Sequence, residues 1–334
     1  MKKDADIELA TANISNLRKE DVILASYPGS GSSLLGGILI ELGIDYIEGY
    51  QEKINSDQMA TDTVNPMWRS HWPQLVTKYD KKMIGLRAFK THFYPISFKD
   101  SAPTKSILLI RDARDAVISY YNWRKNFSDE TGTLYDFISR DGYYGKKPFD
   151  DWAEYIDAWE LWGQNNDLLI VRYEDLKFYP ETTIQKILLF LNIKPDSHKI
   201  SLAIKNTALT KIQAEEAQTI NDTTKRIFRK GLVGEWRSVL SDNIFPFIKQ
   251  NTLQKLFKFG YELKYADIKN YKNTYILTNN PEYILPESLI LRTPVDIASL
   301  GSIQGCTYLS STNLELTRCV QHICEVRGLK LSLL

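Results

Sequence analysis

Val22-Ile-Leu-Ala-Ser26-Tyr27-Pro28-Gly29-Ser30-Gly31-Ser32-Ser33-Leu34 is the stretch whose reading decides the fold. Val22 to Ser26 is apolar or small throughout, which predicts a short buried strand that Pro28 and Gly29 bring to an end. Gly29 to Ser33 holds only glycine and serine, so the backbone can turn tightly there and approach a ligand closely. Leu34, Leu35, Ile38, Leu39 and Leu42 then recur at helical spacing, with Gly43 as the stop signal. A strand, a small-residue turn and a helix start together make an anion site. Unpaired first-turn N–H groups and the positive end of the helix dipole face whatever fills the turn. An ordinary strand-to-helix connection shares the pattern.

The turn departs from the loop of nucleoside triphosphatases, which needs a Lys-Ser/Thr pair after its second glycine. Here Ser32 and Ser33 follow Gly31, and no Mg²⁺ ligand can be assigned. Downstream, Met83 to Phe89 predicts a second strand leading into Lys90-Thr91-His92. His92 is either structural or a catalytic group at a strand's carboxyl end, where open α/β sheets place their ligands. Ser106 to Ile110 is a third strand, followed by Arg111 and by Asp112 as the cap of a helix that includes Val117, Ile118, Tyr120 and Tyr121. Arg111, Arg114 and Ser119 beside that strand end suit a second phosphate, or else a solvated helix start. Asp167 to Val171 is a fourth strand, and Pro180-Glu181 opens a helix buried through Ile184, Ile187, Leu188 and Leu191. Strands alternating with helices predict a parallel sheet wrapped by helices.

The remaining segments are less constrained. Residues 44–82 carry Trp68, His71 and Trp72 between loop signals, as core packing or as a wall of an acceptor pocket. Residues 126–148 read as a long loop, and Phe149, Trp152, Ala153, Ile156 and Trp159 mark one face of a helix. Nine acids against three bases lie between residues 126 and 160. Asp150, Asp151, Glu154 and Asp157 fall on that helix's solvent face, whereas Asp129, Glu130, Asp136 and Asp141 lie in the loop, where they would suit a cationic acceptor. Lys225 to Lys230 is a basic run ending in the loop Gly231 to Gly234, and residues 242–260 read as one helix. From Tyr265 the character changes to short β-like runs, Thr274 to Thr278 and Ser288 to Arg292, with a last helix from about residue 311 to Gly328.

In 334 residues, 43% hydrophobic and 25% charged, the chain has ample material for a core. A net charge of +1 gives no general attraction to nucleic acid or to an anionic membrane, so any basic site is local. The first ten residues lack a signal peptide's apolar core, and no apolar run approaches the roughly 18 residues of a membrane span. Cys306, Cys319 and Cys324 are too few for a disulfide framework, and their spacing with His322 does not suit a metal. A cytoplasmic protein without metal is the expectation.

Five separate segments, in order over roughly residues 20–265, resemble one family: the soluble sulfotransferases that use 3′-phosphoadenosine 5′-phosphosulfate (PAPS). The family's Tyr-Pro-Lys-Ser-Gly-Thr-Thr-Trp is matched by Tyr27 to Leu34, and its Lys-Thr-His by Lys90-Thr91-His92. Arg-Asn-x-x-Asp-x-x-x-Ser-Tyr-Tyr is matched by Arg111 to Tyr121, and Tyr-Glu-Asp by Tyr173-Glu174-Asp175. The late Arg-Lys-Gly-x-x-Gly-Asp-Trp is matched by Arg229 to Trp236.

The resemblance implies a P-loop-like parallel sheet flanked by helices over residues 1–265, with 266–334 as a C-terminal extension. It implies that Gly29, Ser30, Gly31, Ser32 and Ser33 hold the 5′-phosphosulfate end. Arg111, Ser119, Arg229, Lys230 and Gly231 would hold the 3′-phosphate, and Tyr173 and Thr207 would contact the adenosine. His92 would be the general base, with an imidazole near its reference pKa of about 6.5. The product nucleotide would be 3′-phosphoadenosine 5′-phosphate (PAP), and the acceptor a small molecule, with an aromatic or cationic secondary metabolite suiting the aromatics and loop acids. The chain departs from the family where Gly29 replaces the turn's lysine, which makes Lys90 the candidate to stabilise the leaving phosphate. Leu34 replaces the tryptophan, and the family's dimer motif is missing after Trp236, so the oligomeric state is open. The competing expectations are a catalytically weak nucleotide-binding relative and an ATP-using phosphotransferase.

Overall fold

The computed structural model describes residues 2–49, 84–98, 103–128, 130–142, 145–261, 274–277, 290–291, 307–309 and 332–333. Trp68, His71, Trp72, Asp129, the three cysteines, His322 and the expected last helix lie outside them. The chain divides into two compact units, Met1–Leu134 with Glu154–Ser238, and Tyr135–Ala153 with Val239–Leu334.

Helix α1 (Lys2–Ile14) is followed by β1 (Val22–Ser26), α2 (Ser32–Glu41), β2 (Asp45–Glu48), β3 (Arg87–Thr91), β4 (Lys105–Ile110) and α3 (Ala113–Phe127). Then come α4 (Leu134–Ser139), α5 (Pro148–Trp162), β5 (Asp167–Arg172), α6 (Tyr173–Phe178), α7 (Pro180–Phe190), α8 (Ser197–Asn206) and α9 (Leu209–Thr219). The five strands of the first unit pair in parallel in the order β2-β3-β1-β4-β5. This is the parallel, helix-flanked sheet that the sequence predicts. β1, at its centre, is buried along its whole length, as a strand covered on both faces must be. Leu24, Leu35, Leu39, Ile107, Leu109, Ile184, Ile187 and Leu188 pack into one core against it.

Some boundaries differ from the sequence reading, each for a local reason. β2 was hidden because Asp45-Tyr-Ile-Glu48 has only two apolar residues between charged ends. β3 begins at Arg87 and continues through Lys90 and Thr91, because both pair with their neighbours in register. The expected loop 126–148 contains α4, one and a half turns with Phe137 and Ile138 buried. Asp151 is buried rather than solvent-facing, in the first turn of α5, where the helix dipole favours a carboxylate.

In the second unit the single helix expected over 242–260 is two pieces. A 3₁₀ segment, Asp242–Phe247, precedes α10 (Gln250–Lys258), and Pro246, inside the first piece, lacks the amide that a continuous helix would use there. Thr252 donates its hydroxyl to the Phe149 carbonyl (3.0 Å) and Lys249 pairs with Asp150 at 2.5 Å, which holds α10 to the start of α5. Strands β6 (Thr274–Leu277), β7 (Ile290–Leu291), β8 (Thr307–Leu309) and β9 (Ser332–Leu333) pair in parallel in the order β7-β6-β8-β9.

Candidate active site

In the first unit the chain passes from β3 over β1 to β4, so strand order reverses at β1. A parallel sheet opens its ligand crevice at such a switch point, outside the carboxyl ends of the strands. Three segments meet there: the turn after β1, His92 after β3 and Arg111 after β4. Register fixes the arrangement, since Ala25 pairs with Thr91 and Ser26 with Leu109. His92 therefore falls beside Ser26, and Arg111 two residues beyond the level of Ser26. On the far side of β4, Ile110 pairs with Arg172, which brings Tyr173 next to Arg111.

The turn uses glycine where its backbone demands it. Gly29 and Gly31 have φ of +83° and +95°, the left-handed region that favours glycine. A Cβ on Gly29 would lie 2.2 Å from the Ala116 carbonyl oxygen and 2.9 Å from the Tyr120 nitrogen, so the turn rests directly on the backbone of α3. A Cβ on Gly31 would lie 2.4 Å from the Tyr173 ring. Between them Ser30 is 1% exposed, and its buried hydroxyl has no hydrogen-bond partner among the described residues. An orphaned buried hydroxyl inside a glycine turn is an empty demand for an acceptor or donor. Gly31 is the N-cap of α2, so the N–H groups of Ser32 and Ser33 open its first turn without intrahelical partners.

Arg111 ties this turn to a loop far along the chain. It is 5% exposed and donates Nη1–H to the Gly29 carbonyl (2.9 Å) and Nη2–H to the Leu232 carbonyl (2.8 Å). Its guanidinium lies over the Tyr173 ring, 4.5 Å from the centroid. The Tyr173 hydroxyl donates to the Gly231 carbonyl (3.1 Å), and burial raises its pKa. Asp115 of α3, 1% exposed, accepts from the amides of Gly234 (2.6 Å) and Trp236 (2.9 Å). Arg114 is held by Asp112 at 2.7 Å and stacks on the Trp236 ring at 3.6 Å. Within that loop Arg229 makes two bonds to Glu235 (2.7 and 2.6 Å) and Lys230 Nζ lies 3.1 Å from the same carboxylate. Those donated hydrogen bonds, Arg229 first, hold Glu235 at a pKa of about 2.

On the other side of β1, His92 Nδ1 lies 2.6 Å from the Ser26 carbonyl. That nitrogen must carry the proton to donate, which leaves Nε2 as an acceptor in the neutral ring. Burial, then the charge of Lys90, hold the pKa well below the ordinary value, against the opposing pull of the Ser26 carbonyl. The expectation of a value near about 6.5 is thus corrected downward, because burial first and the Lys90 charge second disfavour the charged ring. Lys90 Nζ lies 3.8 Å from Glu48, its register neighbour on β2.

Among the residues singled out from sequence, the structure links Gly29, Gly31, Arg111, Tyr173 and Gly231 through direct contacts, with Ser30 between the two glycines of the turn. Ser119 lies on α3 between Ala116 and Tyr120, the stretch under Gly29. Arg229 and Lys230 adjoin Gly231 but pair with Glu235. Thr207 is 3% exposed and donates its hydroxyl to the Ala203 carbonyl of its own helix (2.8 Å). It reaches the group through Leu209, whose side chain lies 3.0 Å from a Cβ on Gly231. Sequence reasoning gave no role to Asp115 or Glu235, although both lie inside matched stretches, and it passed over Glu48.

A family model described as the sulfotransferase domain matches residues 19–260. Mouse sulfotransferase 1E1 is 24% identical over 278 residues, covering 77% of this chain and 90% of the relative. Rat sulfotransferase 2A6 is 27% identical over 260 residues, covering 72% and 84%. Among solved structures, mouse sulfotransferase SULT7A1 complexed with PAP aligns with a TM-score of 0.54 at 19% identity, over 80% of this chain and 92% of that one. Retinol dehydratase in complex with androsterone and inactive cofactor PAP aligns at 0.51 and 18%, over 78% and 88%. These structural likenesses establish the fold.

Proposed function

The chain belongs to the sulfotransferase domain family, and from that premise we propose that it moves a sulfuryl group from PAPS to a hydroxyl or nitrogen of a small-molecule acceptor. The observation that carries this reading is the convergence of an orphaned serine hydroxyl in a glycine turn, two arginine-bearing segments and a neutral histidine on one end of β1. Two of the aligned solved structures are complexes with PAP, and the residues present fit such a nucleotide.

The Ser30 hydroxyl and the first amides of α2 bind the 5′ end as an anion at a helix start. Arg111, Ser119, Arg229, Lys230 and the Gly231 amide hold the 3′-phosphate, for which the planar guanidinium fork is suited. Tyr173 and the Thr207–Leu209 segment border the adenosine. The co-substrate supplies the sulfuryl group, which bonds to the acceptor atom as its bond to the phosphate oxygen breaks, releasing PAP. His92 takes the acceptor's proton at Nε2, its ring oriented by the Ser26 carbonyl. Lys90 supplies the positive charge for the leaving phosphate that Gly29 cannot. Work of this kind is positioning and charge stabilisation. The acceptor is an aromatic or cationic small molecule, and the protein acts in the cytoplasm without a metal.

The test is incubation with labelled PAPS and a panel of phenols, alcohols and amines, with products read by mass spectrometry. Lys90→Ala lowers transfer by about 100- to 1000-fold while PAP binding stays within a few fold. Near-normal turnover in Lys90→Ala removes that residue from the mechanism. Nucleotide affinity with no transfer to any acceptor would select a binding relative instead, the reading that Gly29 favours.

A further inference from the structure

Asp115 has no part in the chemistry above, yet it holds together the segments assigned to the 3′-phosphate. We propose that Asp115 is the positioning residue that makes the site selective for a 3′-phosphorylated nucleotide, an inference that rests on the sulfotransferase reading. Its carboxylate is 1% exposed and accepts two main-chain bonds from 119 and 121 residues away, from Gly234 at 2.6 Å and Trp236 at 2.9 Å. Oδ2 also lies 3.9 Å from Arg111 Nη2. Two donors and a nearby guanidinium match a group that only accepts, which among side chains means an ionised carboxylate.

Geometry gives that anchor its functional meaning. Asp115 and Ser119 are four residues apart on α3 and share a face, one turn from each other. Pulling Gly234 and Trp236 onto that face holds the loop that follows Arg229, Lys230 and Gly231, whose Leu232 carbonyl accepts from Arg111 (2.8 Å). Arg114, stacked on Trp236, seals the same junction. The turn around Ser30 rests on its own glycines and on the Arg111 bond to the Gly29 carbonyl (2.9 Å), whereas both amides that Asp115 accepts from belong to the late loop. The anchor therefore acts first on the end of the nucleotide that faces that loop.

Asp115→Asn keeps the shape and one acceptor oxygen but turns an amide NH₂ toward a main-chain N–H or toward Arg111. The experiment compares the affinities of PAP and adenosine 5′-phosphate for the unchanged protein and for Asp115→Asn by calorimetry, and the KM for PAPS against kcat. We expect PAP affinity to fall at least thirtyfold (about 2 kcal/mol), adenosine 5′-phosphate affinity to stay within threefold, and KM to rise more than kcat falls. An unchanged PAP preference, or equal losses for both nucleotides, overturns the proposal. Should Asp115→Asn fail to fold, hydrogen exchange on the unchanged protein decides. The amides of Gly234 and Trp236 gain protection with PAP and not with adenosine 5′-phosphate, and equal protection by both is contrary. Equal affinity of the unchanged protein for the two nucleotides instead sinks the parent reading, and this one with it.

Discussion

The two ends of the five-stranded sheet use the same residue types in opposite ways. At the amino ends, Asp21 is 1% exposed and takes bonds from the Arg18 amide (2.7 Å), Arg18 Nε (3.2 Å) and Arg87 Nε (2.9 Å), with Arg87 Nη2 also paired to it. Arg87 Nη2 reaches the Asn16 carbonyl as well (3.3 Å). The buried charges of Asp21 and Arg87 are paired with each other there, which aligns β1 with β3. At the carboxyl ends Arg111 donates to the main-chain carbonyls of Gly29 and Leu232, the Ser30 hydroxyl is buried without a partner among the described residues, and protonation equilibria are displaced at His92, Asp115, Tyr173 and Glu174. One end spends its charge on stability, and the other holds charge in a framework of backbone contacts.

The sharpest way to break this contrast is Arg87→Ala. Removing one member of a buried, fully bonded pair costs about 3–5 kcal/mol, read by urea unfolding, while PAP affinity per folded molecule stays unchanged. A loss under about 1 kcal/mol, well short of that range, would mean that the amino end is no anchor.

Gly29→Lys comes next. It restores the residue the family carries, yet it forces a side chain onto a left-handed backbone pressed against Ala116 and Tyr120. We expect a stability loss of about 2 kcal/mol and at least a tenfold drop in transfer, measured on the same preparation. A gain in turnover would show that the turn has room and that Lys90 is not the replacement.

The smallest effect sharpens the comparison through pH. Glu174, 5% exposed, accepts from the Asp112 amide (3.1 Å) with Arg172 3.9 Å away, and burial raises its pKa to about 7. The folded state then keeps a proton that the unfolded chain releases from pH 4.5 upward. Its contribution to stability falls as pH rises through that window and levels off above about 7. Glu174→Gln flattens the decline by about 1–2 kcal/mol between pH 5 and pH 8, read as the change in unfolding free energy at each pH. An unaltered slope would place the titration elsewhere.

The sequence made the sheet legible where a buried strand ran straight into a small-residue turn or a capped helix, as at Val22–Ser26 and at Ile107–Asp112. Charged strand ends hid β2, and Pro246 broke a hydrophobic pattern that continues across it. In the site, family motifs located His92, Arg111 and the glycines, because each needs a particular side chain or a lack of one. The partners of Arg111 and Asp115 were out of reach: they are carbonyls and amides of Gly29, Leu232, Gly234 and Trp236, and main-chain groups leave no mark on composition or spacing. The place of His92 beside Ser26 is likewise a matter of strand register, which periodicity does not state.

Because Arg111 and Asp115 bond to partners about 120 residues later, the pocket cannot be complete until Leu232 to Trp236 have been made. The glycine turn leaves the ribosome first, and Leu232 to Trp236 follow some 200 residues behind, a wait of roughly 10–40 s at ordinary elongation rates of about 5–20 residues per second. Until then the nascent half-site has no clasp, and a nucleotide captured at its closing would favour the finished fold by mass action.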